Sequence, residues 1–202
     1  MFTKISKPAT CVRVDFFTDC CHKLIIVTKT AKAIVHDSAN VLYGLAPVIN
    51  QTTHTLVLGS FPGAASLAAQ EYYAFRHNQF WRLLSGVLKT DLAKMLYAQR
   101  LETLLLHGVG LWDIYQHCQR VGSLDTAIRQ AKLNDFAALR ASFPLLTTIG
   151  FNGKVAAKVQ NRFVEWGYQT IILPSSSPAH ASLSFETKLL EWRKLRSEPD
   201  GA

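Results

Sequence analysis

Four short apolar runs constrain this chain more than any other feature: TLVLGS (55–60), GVGLWDIY (108–115), LLTTIGF (145–151) and QTIILP (169–174). Each is continuous rather than alternating, the pattern of a strand covered on both faces. Segments with helical spacing separate them: FWRLLSGVL (80–88), LAKMLYAQRLETLLLHG (92–108), and the amphipathic basic FETKLLEWRKLR (185–196). Ser123 suits the N-cap of a helix over LDTAIRQA, and Asn134 that of a helix over DFAALRAS ended by Pro144. Gly153 opens, and Gly167 closes, a helix over KVAAKVQNRFVEW. Strands alternating with helices predict an α/β fold, a three-layer α/β/α sandwich around a central four-stranded parallel sheet. With 49% apolar residues in 202, there is material for one such core. Residues 1–45 show no clear period and form an N-terminal extension; 46–196 make the domain and 197–202 a tail.

In a parallel sheet the chemistry gathers beyond the strand C-termini. Those ends read GSFPG, WD, FNG and PSSSPAH, all polar or turn-rich, and they converge on one site. Lys and Arg outnumber Asp and Glu by 22 to 14, a net charge of +8 that favours an anionic partner such as nucleic acid. The four cysteines form no C-x-x-C pair and no zinc-like cluster, so neither a disulfide framework nor a structural metal is expected. No apolar run reaches the ~18–20 residues of a membrane span. The expected setting is cytoplasmic, with no membrane contact and a monomeric state.

GSFPG supplies Gly59, Ser60, Phe61 and Pro62 in a tight turn without P-loop or G-x-G-x-x-G spacing. PSSSPAH offers Ser175, Ser176, Ser177, Pro178 and His180, a stiff hydroxyl-rich loop able to grip a DNA backbone. Ser60, Asp113 and His180 also follow the chain order of a serine-hydrolase triad, although G-x-S-x-G is absent. The stretch EYYAFRHNQFWR (71–82) is richest. Asn78 has an amide that both donates and accepts, rings at Tyr73 and Phe80 can stack on a base, and Arg76 and His77 can meet phosphate. Trp81 reads as a core anchor. Together these make a pocket for a nucleotide flipped out of a duplex.

The segment LGSFPGAASLAAQEYYAFRHNQFW (58–81), followed in order by GVGLWDI, IGFNGKVA and LPSSSPAHA, resembles the uracil-DNA glycosylase superfamily. The closest match is its hypoxanthine-DNA (deoxyinosine) glycosylase branch, related to the mismatch-specific uracil/thymine glycosylases. The resemblance covers roughly residues 45 to 196. It implies excision of a deaminated base, hypoxanthine foremost, from DNA without metal or other cofactor. Asn78 matches the branch's catalytic asparagine, and Gly59 to Pro62 match its pocket turn. Asp113 is placed to accept a hydrogen bond from the base, orient a neighbour, or cap the following turn. Uracil-specific members hold a water-activating aspartate where this chain has Phe61, and a histidine where it has Leu173. The branch's His-Pro before the asparagine is Phe75-Arg76 here. Rival readings are a mismatch-specific glycosylase, a non-catalytic binder of damaged DNA, and a serine hydrolase using Ser60.

Overall fold

The computed structural model describes residues 41–196, so the expected extension lies outside the described residues except for 41–45, and the tail lies wholly outside. Strands β2 (Thr55–Gly59), β3 (Val109–Asp113), β6 (Thr148–Asn152) and β7 (Gln169–Leu173) form a four-stranded parallel sheet in the order β3-β2-β6-β7. The expected sheet is present. Every residue of β2 is buried, as a central strand with helices on both faces demands.

Alternation along the strands divides the core in two. Leu56, Leu58, Ile149 and Phe151 point to one face and pack with Phe136, Leu139 and Phe163. These come from the loop and helices α4 (Leu139–Ser142) and α5 (Gln160–Glu165). Val57, Leu111 and Leu173 point to the other. There they meet α2 (Phe80–Leu88), α3 (Tyr97–Leu106) and α6 (Phe185–Trp192). In α2 the buried set Phe80, Leu83, Leu84, Val87 and Leu88 follows the helical i, i+3, i+4 spacing.

Four local expectations fail wholly or in part. The stretch 92–108 is not one helix: a 3-10 turn at Leu92–Lys94 gives way to extended Met95 and Leu96 before α3 begins. LDTAIRQA is not helical either. It forms a 3-10 turn (Asp125–Ala127) and then β5 (Arg129–Leu133), which pairs with β4 (Tyr115–Gln119), itself paired with β1 (Val41–Tyr43). This three-stranded antiparallel sheet draws on backbone partners distant in sequence, which local propensity does not register. Ser123 accordingly caps no helix of its own. Its hydroxyl accepts the N–H of Ala64 at 3.0 Å, at the start of α1 (Ala64–Ala69). Asn134 donates its side-chain amide to the Asp113 carbonyl at 2.8 Å, and the helix expected after it shrinks to α4. The helix expected to open at Gly153 starts instead as a 3-10 turn (Ala156–Val159) and becomes α-helical only as α5; Gly167, with φ +79°, follows α5 as expected, the left-handed position where glycine costs least.

Phe163 is fully buried and touches the rings of Phe136, Phe151, Trp166 and Tyr168. Phe163→Ala is expected to lower unfolding free energy by about 3–5 kcal/mol in urea melts. Leu106→Ala, at a side chain 87% exposed, should change it by less than ~0.5 kcal/mol.

Candidate active site

The loops leaving the parallel strands enclose a cavity of about 650 Å³. Its wall includes Ser60, Phe61 and Pro62 after β2, Asp113 at the end of β3, Asn152 at the end of β6, and Ser175 to His180 after β7. Tyr73 and Asn78 complete it, together with Ser123 and Asp125 from the loop before β5. Thus the four strand ends do converge. Gly59 lies behind the wall, where a Cβ would collide with Asp113 Oδ1 and come within 3.0 Å of Tyr73 Oη. A hydrogen is all that position admits.

Asn152 ties three segments together. Its Nδ2 donates to Ser176 Oγ at 2.9 Å and to Tyr73 Oη at 3.1 Å, and its Oδ1 accepts from Ser176 N at 2.9 Å. Ser176 is 1% exposed and its carbonyl accepts from Gln79 N, so it anchors the loop rather than facing solvent. Ser175 and Ser177 differ: each hydroxyl oxygen accepts a backbone N–H two residues on, leaving its own O–H available as a donor. Beneath the loop, buried Lys188 donates to the His180 carbonyl at 2.7 Å and to Gln79 Oε1 at 3.0 Å. Burial lowers its pKa below the ordinary lysine value.

Asn78 is oriented without ambiguity. The segment 75–78 closes as a turn through Asn78 N to the Phe75 carbonyl at 2.8 Å. Asn78 Oδ1 then accepts the N–H of Phe80 at 3.0 Å, filling an N-terminal donor of α2. The free end of the amide is therefore its NH2 group, a donor. Arg76 takes the second position of this turn, where proline is also favoured, so the turn persists without it. Arg76 and His77 are exposed on its outside, with Arg76 Nε 3.0 Å from His77 Nε2. They do not line the cavity.

The rings are layered. Phe80 is fully buried and stacks against Tyr73 at a centroid distance of 3.6 Å and 9°. Phe80 lies behind Tyr73, so the ring offered to the cavity is Tyr73, held with φ +54°. Such a backbone conformation is strained for a bulky residue and clusters at functional sites. Trp81 is a core anchor, its indole N–H donating to the Tyr72 carbonyl. Phe61 carries the Arg120 guanidinium over its ring at 5.1 Å, and Arg120 also donates to the Pro62 carbonyl. Ser60 Oγ donates to Asp125 Oδ1 at 2.7 Å. No hydrogen bond joins Ser60, Asp113 and His180 among the described residues, so the hydrolase triad is not assembled.

Sequence reasoning named Asp113 but missed Asn152, Asp125 and Arg120. FNG at the end of β6 was the available signal for Asn152. Nothing local marks Asp125, because it reaches the site from a stretch that reads as helix.

Asp113 is 4% exposed, and its Oδ2 has no hydrogen-bond partner. Burial, with a further push from the charge of Asp125, raises its pKa to about 7; Arg120 opposes the shift. The folded state thus holds a proton that an unfolded aspartate, with a pKa of about 3.9, gives up. The stability this group contributes is fully present below that value and lost as pH rises through about 7. Asp113→Asn cannot ionise. Its melting temperature relative to the parent is expected to climb between pH 4 and pH 8, by the equivalent of up to about 4 kcal/mol. A difference that stays flat across that range in thermal melts would refute this.

The family model of the Uracil DNA glycosylase superfamily matches residues 46–196. A hypoxanthine DNA glycosylase of Methanosarcina barkeri is 39% identical over 137 residues, 68% of this chain and 87% of that protein. One from Methanosarcina acetivorans is 37% identical over 152 residues, 75% and 96% respectively. A solution NMR structure from Methanosarcina acetivorans, provisionally assigned as a uracil DNA glycosylase, superposes with a TM-score of 0.71 at 36% identity. That match covers 77% of this chain and 99% of the other. With its sheet, its strand-end site and these likenesses, the chain belongs to the uracil DNA glycosylase superfamily.

Proposed function

We propose that this protein is a monofunctional DNA glycosylase that hydrolyses the N-glycosidic bond of deaminated bases, hypoxanthine foremost. The observation that carries this is the fixed polarity of Asn78. With Oδ1 held by Phe80 N, the side chain offers the cavity a hydrogen-bond donor and no proton acceptor. Such a group can hold a water by its oxygen or stabilise charge gathering on a departing base; it cannot deprotonate water. This favours a dissociative cleavage in which the base leaves early and DNA phosphates stabilise the cationic sugar. The names of the two Methanosarcina relatives point to hypoxanthine.

Position 61 of the cavity wall holds a phenylalanine rather than a water-activating carboxylate, in keeping with weak uracil excision. Uracil excision keeps one support, the uracil DNA glycosylase assignment given to the NMR structure, which says nothing of mismatches or thymine. Ser175 and Ser177, whose O–H groups remain available as donors at the cavity wall, suit contact with a DNA backbone, and so does the excess of basic residues.

A panel of oligonucleotides bearing deoxyinosine, uracil, xanthine or ethenoadenine, single- and double-stranded, tests the reading through alkali-labile sites. Deoxyinosine duplexes should be cut fastest. Salt-sensitive binding to deoxyinosine duplexes without base release would instead identify a damaged-DNA binder.

Two substitutions separate the roles of Asn78. Asn78→Asp keeps an acceptor for Phe80 N and loses the donor; Asn78→Ala loses both. Both should slow excision by roughly 100-fold or more. Only Asn78→Ala should also cost about 1 kcal/mol of stability through the lost cap. An Asn78→Ala protein that cuts like the parent would sink the mechanism.

A further inference from the structure

We propose that Asp113 is a catalytic residue of this site, the general acid that protonates the departing base. The inference rests on the base-excision reading and adds a role to it. Three features of the structure carry it.

The carboxyl lines the cavity although it is 96% buried, and Oδ2 is bonded to nothing among the described residues. A buried carboxylate without a partner is costly, so a carboxyl that lines the cavity while its water-shielded Oδ2 has no partner is a group held for a ligand. Next, the surroundings withhold any compensating cation. Arg120 is the cation whose charge acts on it, but its guanidinium donates to the Pro62 carbonyl and lies over the face of Phe61, its Nε is itself without a partner, and no ion pair reaches Asp113 among the described residues. The other groups that face it are Tyr72 and Tyr73 from the turn before α2 and Asp125 from the loop before β5. The tyrosines stay neutral, since burial raises both well above the ordinary phenol range, and Asp125 is a like charge. His180 lines the same cavity, and Lys158 acts on Asp125 rather than on Asp113. Finally, Gly59 is bare where a methyl would displace Asp113 Oδ1, so the strand itself makes room for the carboxyl. These arrangements agree with the raised pKa of about 7, which leaves a large protonated fraction at neutral pH.

The chemistry balances as a hydrolysis. The C1′–N9 bond of the deoxynucleoside breaks, with its electron pair leaving on the purine. The Asp113 proton passes to a ring nitrogen of that purine, so the base departs neutral. A water oxygen bonds C1′ and releases one proton to solvent, and the Asp113 carboxylate regains a proton from solvent before the next turnover. Asn78, a donor that never gives up its proton, and Asp113, an acid that does, divide the work between holding and protonating.

The test is the pH profile of single-turnover excision from a deoxyinosine duplex, with duplex binding measured alongside. The parent rate should fall about tenfold per pH unit above roughly 7. Asp113→Asn, nearly isosteric, should lose roughly 100-fold in rate and the falling limb with it, while still binding the duplex. Asp125→Asn keeps an acceptor for Ser60 but removes the neighbouring negative charge, so its limb should move to lower pH. The acid role is overturned if Asp113→Asn cuts within threefold of the parent, or if the limb survives in it or stays in place in Asp125→Asn. A parent silent on every base of the panel overturns the excision reading and this role together; an active parent with an unimpaired Asp113→Asn overturns only the acid.

Discussion

The site depends on one side chain that never needs to touch a substrate. Asn152 sits at the end of β6 with both ends of its amide engaged, holding Ser176 on one side and Tyr73 on the other. Through Ser176 it fixes the loop after β7, and the Ser176 carbonyl in turn receives Gln79 N beside Asn78. Lys188 closes the circuit by bonding Gln79 and the His180 carbonyl. A loop of serines bounded by prolines has no apolar weight with which to pack itself. Here it is positioned by polar bonds in a nearly dry setting, where each is stronger and each orphaned partner is costly.

That economy explains why Asp113 stands apart. The loop bonds are met, whereas Asp113 Oδ2 and the Nε of neighbouring Arg120 are both buried without a partner, two of the three such side-chain atoms among the described residues. The chain gives up stability near neutral pH to keep the group there, as strained or uncompensated residues at working sites commonly do. Tyr73 shows the same bias, a bulky residue held at positive φ with its ring flat against Phe80.

Much of this was legible in the residues. Continuous apolar runs revealed the four parallel strands, and burial on both faces is the reason for β2, while the edge strand β7 keeps an apolar run although only Leu173 of it is buried; the polar strand ends pointed to the cavity. The antiparallel sheet was not legible. RQAKL carries no strand signal of its own and becomes β5 only because β4 offers it backbone partners. With β5 went Asp125, whose approach to Ser60 spans 65 residues. The expected stacking ring of Phe80 misled in a subtler way. Phe80 sits in the right motif, yet a ring at the first turn of a helix that packs on the sheet is taken into the core, and its neighbour Tyr73 faces the cavity instead.

The replacement of His-Pro by Phe75-Arg76 can now be weighed by what the turn requires. Its closing bond runs from Asn78 N to the Phe75 carbonyl, which uses no side chain. Proline at the second position would stiffen the turn by limiting the unfolded chain, and arginine forgoes that while adding a charge on the outer surface. The orientation of Asn78 does not rest on either residue, since Phe80 N captures its Oδ1 from the helix side. What Phe75 changes is the cavity itself: it is 48% exposed, lines the cavity wall and sits edge-on to His77. On the proposed function, the substitution would act on how a base enters and on what the adjoining DNA meets, while the donor that would hold the base or the attacking water keeps its place.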